Sequence, residues 1–141
     1  MKVKDILNYN DAIKGIINNV SDINSLIKFR LLGMCKQFES TINNFEQIRE
    51  EKIIQYGTVN SEGVTGIFSP NKEDYQNDDD YNKALSEFEQ SIDNFKNDLN
   101  EILNSDVDMV IKKFKYSDIM DAGIPTDYLI AIYDLIEEWF F

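Results

Sequence analysis

The chain has 141 residues, 43% hydrophobic and 28% charged, which fits one globular domain of residues 1–141 and leaves little room for a second core. Its 26 acidic and 14 basic residues give a net charge of -12, so the phosphates of bare nucleic acid or an anionic membrane would be repelled. The lack of histidine removes the usual proton carrier near neutral pH and the commonest transition-metal ligand, and a single cysteine, Cys35, excludes an intramolecular disulfide and a cysteine zinc site.

In chain order, Ile6, Ile13, Ile16, Ile17 and Val20 share a helical stripe over residues 5–19, interrupted by Asn8 and Asn10. Ser21 and Asp22 offer capping oxygens for a second helix. In that helix Ile27, Leu31, Met34, Phe38, Ile42, Phe45 and Ile48 step by three or four residues toward Tyr56, and Gly57 is placed to end it left-handed. Residues 58–80 form a polar, acidic loop rich in Gly and Asn, in which Val59 and Val64 to Phe68 flank an Asn60-Ser61-Glu62-Gly63 turn and predict a short hairpin. Leu85, Phe88, Ile92, Phe95, Leu99 and Ile102 then alternate steps of three and four, an apolar heptad seam and the clearest helix signal in the chain.

Val107, Met109 and Ile111 predict a short strand or extended crossing that pairs with residues 64–68. Ser117 to Ala122 make one helical turn stopped by Gly123, and Pro125 with Thr126 opens a final amphipathic helix carrying Leu129, Ile132, Tyr133, Ile136 and Trp139. The expected fold is mainly α: an antiparallel helical bundle of two long helices packed through Leu31 to Ile48 and Leu85 to Ile102. A shorter helix covers each end, with a small two- or three-stranded β element. The start of the chain is broken by Asn8, Asn10, Asp11 and Lys14, unlike a signal peptide, and no run approaches the ~20 apolar residues of a membrane span. A soluble, cytoplasmic protein is expected.

Charge is uneven along the chain. Residues 1–56 carry eight basic and seven acidic side chains, a net of +1, whereas residues 57–141 carry six and nineteen, a net of -13. Asp78, Asp80, Asn82 and Glu89 take the first, third, fifth and twelfth places of a calcium loop, but Lys83 stands where its turn wants glycine. The apolar seam also demands helix through these residues, so Asp78, Asp79 and Asp80 are read as a solvated helix start opposing the dipole. The pairs Glu50-Glu51 and Glu137-Glu138 are read as solvated, Cys35 as a small core thiol, and Lys112, Lys113 and Lys115 as rim or ion-paired lysines beside Asp106, Asp108, Asp118 and Asp121. No glycine loop has the lysine and following helix of a phosphate site. No catalytic residue, cofactor or metal is therefore assigned, and an enzyme is not expected.

Three successive aromatics, Trp139, Phe140 and Phe141, cannot all face one helical stripe, and they make the preferred candidate for a contact with a partner. The run from Leu31 to Glu39, the stretch Phe45-Glu46-Gln47-Ile48-Arg49-Glu50-Glu51 and then Gln55-Tyr56-Gly57 resemble a family of small, uncharacterised tailed-phage proteins. In that family a long helix ends in a Glu-rich segment and Tyr-Gly, followed by a glycine-containing turn, a second helix and a short extended segment. The matching stretches here are Lys28 to Gly57, Asn60 to Gly63, Asp80 to Asn104 and Asp106 to Ile111. The acidic stretch around Asn71 to Asp80 and the aromatic C-terminus depart from it, and the family supplies no catalytic residues.

Two functions follow as expectations. The first is a non-enzymatic phage-type accessory or assembly protein, with Trp139, Phe140 and Phe141 as anchors for a phage or host protein and the heptad helices available for self-association. The second is an acidic DNA-mimic inhibitor of a host defence nuclease or other DNA-binding protein. Asp78, Asp79, Asp80, Glu137 and Glu138 would be among its phosphate-like charges, with Asp74, Glu87, Asp93 and Asp134.

Overall fold

A computed structural model of the chain describes residues 1–137. The architecture is mainly helical, built on two long helices with small β elements, as the apolar periodicity predicts. The chain forms two compact units: Met1–Asn43 together with the chain from Ser105 onward, and Asn44–Asn104.

In the first unit, helix α1 (Val3–Asn19) opens with the Lys2 backbone N–H donating to the Asp5 carboxylate at 3.0 Å, an acid that also favours the positive end of the helix dipole. It buries Ile6, Ile13 and Ile16 completely. Helix α2 (Ser25–Tyr56) begins later than the sequence suggests. Asn24, not Ser21 or Asp22, caps it, its side-chain oxygen accepting from Leu26 N at 3.0 Å and Ile27 N at 3.2 Å.

The first half of α2 turns Ile27, Leu31, Met34 and Phe38 inward. These side chains join one core with Ile6, Tyr9, Ile13 and Ile16 of α1 and with Phe114, Ile119, Leu129, Ile132 and Leu135 from the end of the chain. Leu31, Met34 and Phe38 are thus part of this unit's own core. Full burial of a Leu, Ile or Phe contributes about 1.5–3 kcal/mol each, so this cluster dominates the unit's stability.

Residues 107–113 form no strand and do not pair with residues 64–68. Their alternating side chains instead lie partly buried against the core at Val107, Met109 and Ile111. The strand here is β3 (Phe114–Lys115), leading into a single turn, α4 (Tyr116–Ile119), and then to Gly123 at φ +85.

The final helix is also shorter than expected. Helix α5 spans only Thr126–Ala131, a 3-10 turn covers Tyr133–Leu135, and Ile136–Glu137 form β4, parallel to β3 with Phe114 opposite Ile136. Ile132 and Ile136 are buried as expected, but a non-local strand pairing sets the backbone at Ile136.

In the second unit, the end of α2 leads to a hairpin of β1 (Thr58–Val59) and β2 (Thr65–Gly66), antiparallel with Val59 opposite Thr65. Its turn is the expected one: the Asn60 side-chain oxygen accepts from Glu62 N and Val64 N, both at 2.9 Å, and Gly63 takes φ +79. Gly57 does not end α2 left-handed. Its role is close approach, since a Cβ there would lie 2.4 Å from the Ile53 carbonyl oxygen and 2.6 Å from that of Gly66.

Helix α3 (Asp78–Leu103) starts at Asn77, whose side chain accepts from Asp80 N at 2.9 Å. Along its seam Leu99 is buried, while Leu85, Phe88, Ile92, Phe95 and Ile102 are half-buried. Phe45 of α2 is the other buried apolar residue of this unit.

Candidate functional site

The residues singled out from the sequence fall in three places. Glu138, Trp139, Phe140 and Phe141 lie outside the described residues. Glu137 is exposed at the end of β4. Asp78, Asp79 and Asp80 are exposed in the first turn of α3, and the calcium-loop spacing runs through helix, so its ligand positions cannot wrap around an ion.

Around that helix start, Asp80 is tied to Asn77 at 3.1 Å, Lys72 reaches Asp78 at 3.7 Å, and Tyr75 and Tyr81 meet edge to face at 6.0 Å. A groove of about 550 Å³ borders it, with Tyr56, Phe68, Tyr75 and Phe88 as aromatic walls and Asp74 and Glu87 as acids. Deeper along α3, Asp98 accepts from the Tyr56 hydroxyl at 2.6 Å and pairs with Lys52 at 3.2 Å. The Tyr56 hydrogen bond, then Lys52, holds the Asp98 carboxyl below the usual range, and the same hydrogen bond raises Tyr56.

The second unit holds fourteen acidic and five basic residues, a net of -9 out of the chain's -12. Lys112, Lys113 and Lys115 are exposed, and the ion pairs expected with their acidic neighbours are not formed among the described residues. Backbone geometry there serves another contact: the Arg30 guanidinium lies over the Phe114 ring at 4.3 Å and donates to the Lys113 carbonyl at 3.3 Å.

The main apolar surface of α2 was not legible as a site. Leu26 and Phe29 stand on the flank of α2 away from its buried stripe, 67% and 73% exposed, and Leu32, 49% exposed, adjoins them at the edge of the cleft toward α1, so that none of the three is buried in the core of their own unit. Gly33 beside them has open space above it, so the backbone is accessible there too. The signal present in the sequence is the doublets Leu26-Ile27 and Leu31-Leu32, which supply more apolar side chains than one helical stripe can bury.

A cleft of about 360 Å³ lies between α1 and the first half of α2, with Asn10, Lys14, Leu32, Cys35 and Ile42 on its walls. Cys35 is partly buried against the core, as its place beside the stripe suggests, and burial pushes its thiol pKa up despite the nearby Lys14 charge. At the far side of α1, the Tyr9 hydroxyl donates to Asp134 at 2.6 Å, and burial with this carboxylate drives the Tyr9 pKa upward.

No helix among the described residues is long and apolar enough to cross a membrane. No family model, no curated protein and no solved structure matches this chain.

Proposed function

We propose that this chain is a non-enzymatic, phage-type accessory or assembly protein that acts through contacts with other proteins. The observation that carries this reading is the exposed apolar flank of α2, Leu26, Phe29 and Leu32, on a helix stretch whose inward stripe from Ile27 to Phe38 is already taken up by core packing. Isolated exposed apolar residues are ordinary, but three on adjoining turns beside an open glycine form a patch that water solvates poorly and a partner would cover. The half-buried seam of α3 adds a second surface able to take an apolar partner, a second copy of the chain included. The resemblance to small tailed-phage proteins supports the same class.

The test is the mass in solution and partner capture of the chain and of Phe29→Ser, eluted in steps of increasing salt. The reading expects salt-resistant self-association or capture that Phe29→Ser weakens at least tenfold, the range of an apolar anchor. Monomeric behaviour with capture indifferent to Phe29→Ser refutes it.

A second reading, an acidic DNA mimic that fills the basic groove of a DNA-binding protein, is favoured by one observation. The second unit concentrates a net of -9, with Asp78, Asp79, Asp80, Glu87 and Asp93 exposed along one helix. Capture that is lost at moderate salt and on neutralising Asp78 to Asp80 would favour it over the first.

A further inference from the structure

The cleft between α1 and α2 carries a feature that packing does not explain. Asn10 is the buried polar residue of the described chain, 6% exposed, on the inward side of α1 between Ile6 and Ile13. Its side-chain amide makes no hydrogen bond among the described residues, and since none of their buried polar atoms lacks a partner, the amide is open to solvent at the cleft it lines. An amide so placed is within reach of solvent, and its donors can be taken over by a ligand that enters the cleft.

The surrounding groups define what that ligand is. Lys14 lies one turn further along α1, is exposed, lines the cleft and makes no ion pair among the described residues. Lys36 on the rim is already neutralised by Glu39 at 2.9 Å. The cleft thus offers one uncommitted positive charge and one amide donor, which matches a singly charged oxyanion better than a phosphate dianion. Leu32, Cys35 and Ile42 make the remaining wall apolar.

We propose that this cleft binds the carboxylate of an apolar acid, its oxygens taken by the Lys14 ammonium and the Asn10 amide N–H and its aliphatic body lying along Leu32, Cys35 and Ile42. The acid is either a free short-chain carboxylic acid or the C-terminal carboxylate of a peptide ending in an apolar residue. The assignment does not depend on the protein-contact reading above.

The experiment follows the Asn10 side-chain NH2 and the backbone amides of Lys14 and Cys35 by NMR in the full chain. Hexanoate, N-acetylglycyl-leucine with a free carboxylate, and the uncharged isostere hexanamide are added separately to millimolar concentration. Saturable shifts are expected with at least one acid and not with hexanamide, and Lys14→Gln, at an exposed position that leaves the fold intact, weakens binding about tenfold or more. Tighter binding of the peptide acid assigns the site to protein C-termini, and tighter binding of hexanoate to free acids. Asn10 signals unmoved by both acids, equal shifts with hexanamide, or unchanged affinity in Lys14→Gln would overturn the assignment.

Discussion

Glycine at position 57 gives a prediction whose magnitude can be worked from distances. A Cβ there would stand 2.4 Å from the Ile53 carbonyl oxygen and 2.6 Å from that of Gly66, whereas ordinary contact begins at 3.4 Å. Overlaps of about 1.0 and about 0.8 Å fall on two backbone atoms, neither of which can rotate away as a side-chain tip can. Relief requires displacing the last turn of α2, where Gly57 N donates to Ile53 O at 2.8 Å, or β2, where Gly66 is registered opposite Thr58. Overpacking costs about 1–3 kcal/mol in general, and a double backbone overlap belongs at the upper end, about 3 kcal/mol for Gly57→Ala. Asparagine separates the two explanations of this glycine. It tolerates a left-handed backbone but still brings a Cβ, so Gly57→Asn is expected to be as damaging as Gly57→Ala. Gly63 is the converse, with φ +79 and open space around it, so Gly63→Asn costs only a few tenths of a kcal/mol and Gly63→Ala about 1 kcal/mol. The assay is amide hydrogen exchange at Gly57 and Asn60, whose N–H groups donate to Ile53 and Val64 carbonyls. Wild-type protection in Gly57→Asn would refute the close-approach account.

Further predictions concern single polar contacts. Tyr9→Phe removes the hydroxyl that donates to Asp134 at 2.6 Å, and a loss of about 1–2 kcal/mol is expected in urea unfolding, since the acceptor is charged but exposed to water. Asp98 has a folded-state pKa below its unfolded value, so its contribution is fully present above about pH 4 and is lost as pH falls through the folded value. Exchange protection in the second unit should therefore drop in acid, and Tyr56→Phe, which deletes the main cause of the shift, should flatten that dependence.

Periodicity made the helices legible, because burial on one side of a helix leaves its trace in the spacing of residues such as Leu85 to Ile102 whatever the partner is. The partner itself leaves no such trace. Leu31 and Phe38 look alike in the sequence whatever they meet, and only the three-dimensional arrangement shows that they share a core with α1 and Phe114. The end of the chain failed for a related reason: Ile132 and Ile136 keep helical spacing, yet pairing of Ile136 with Phe114, more than twenty residues away in sequence, outweighs local propensity. Gly57 shows the same ambiguity at one residue, since a glycine after a helix serves either a positive φ or a close neighbour, and Gly66 is invisible from position 57 in the sequence. Of the candidate sites, the acids of α3 were plain from composition. The outward flank of α2 was hidden among apolar residues assigned to the core, and Asn10 registered only as an interruption of a stripe.

The central claim, that α2 presents an apolar partner surface, is tested most directly by comparing salt-stepped capture by the chain, by Leu26→Ser/Phe29→Ser and by Asp78→Asn/Asp79→Asn/Asp80→Asn, each checked for unchanged helicity. The account predicts a partner, or a second copy, retained at high salt by the chain and by the aspartate variant and lost from the α2 variant. Retention by the α2 variant with loss from the aspartate variant would contradict it and place binding in the acidic helix.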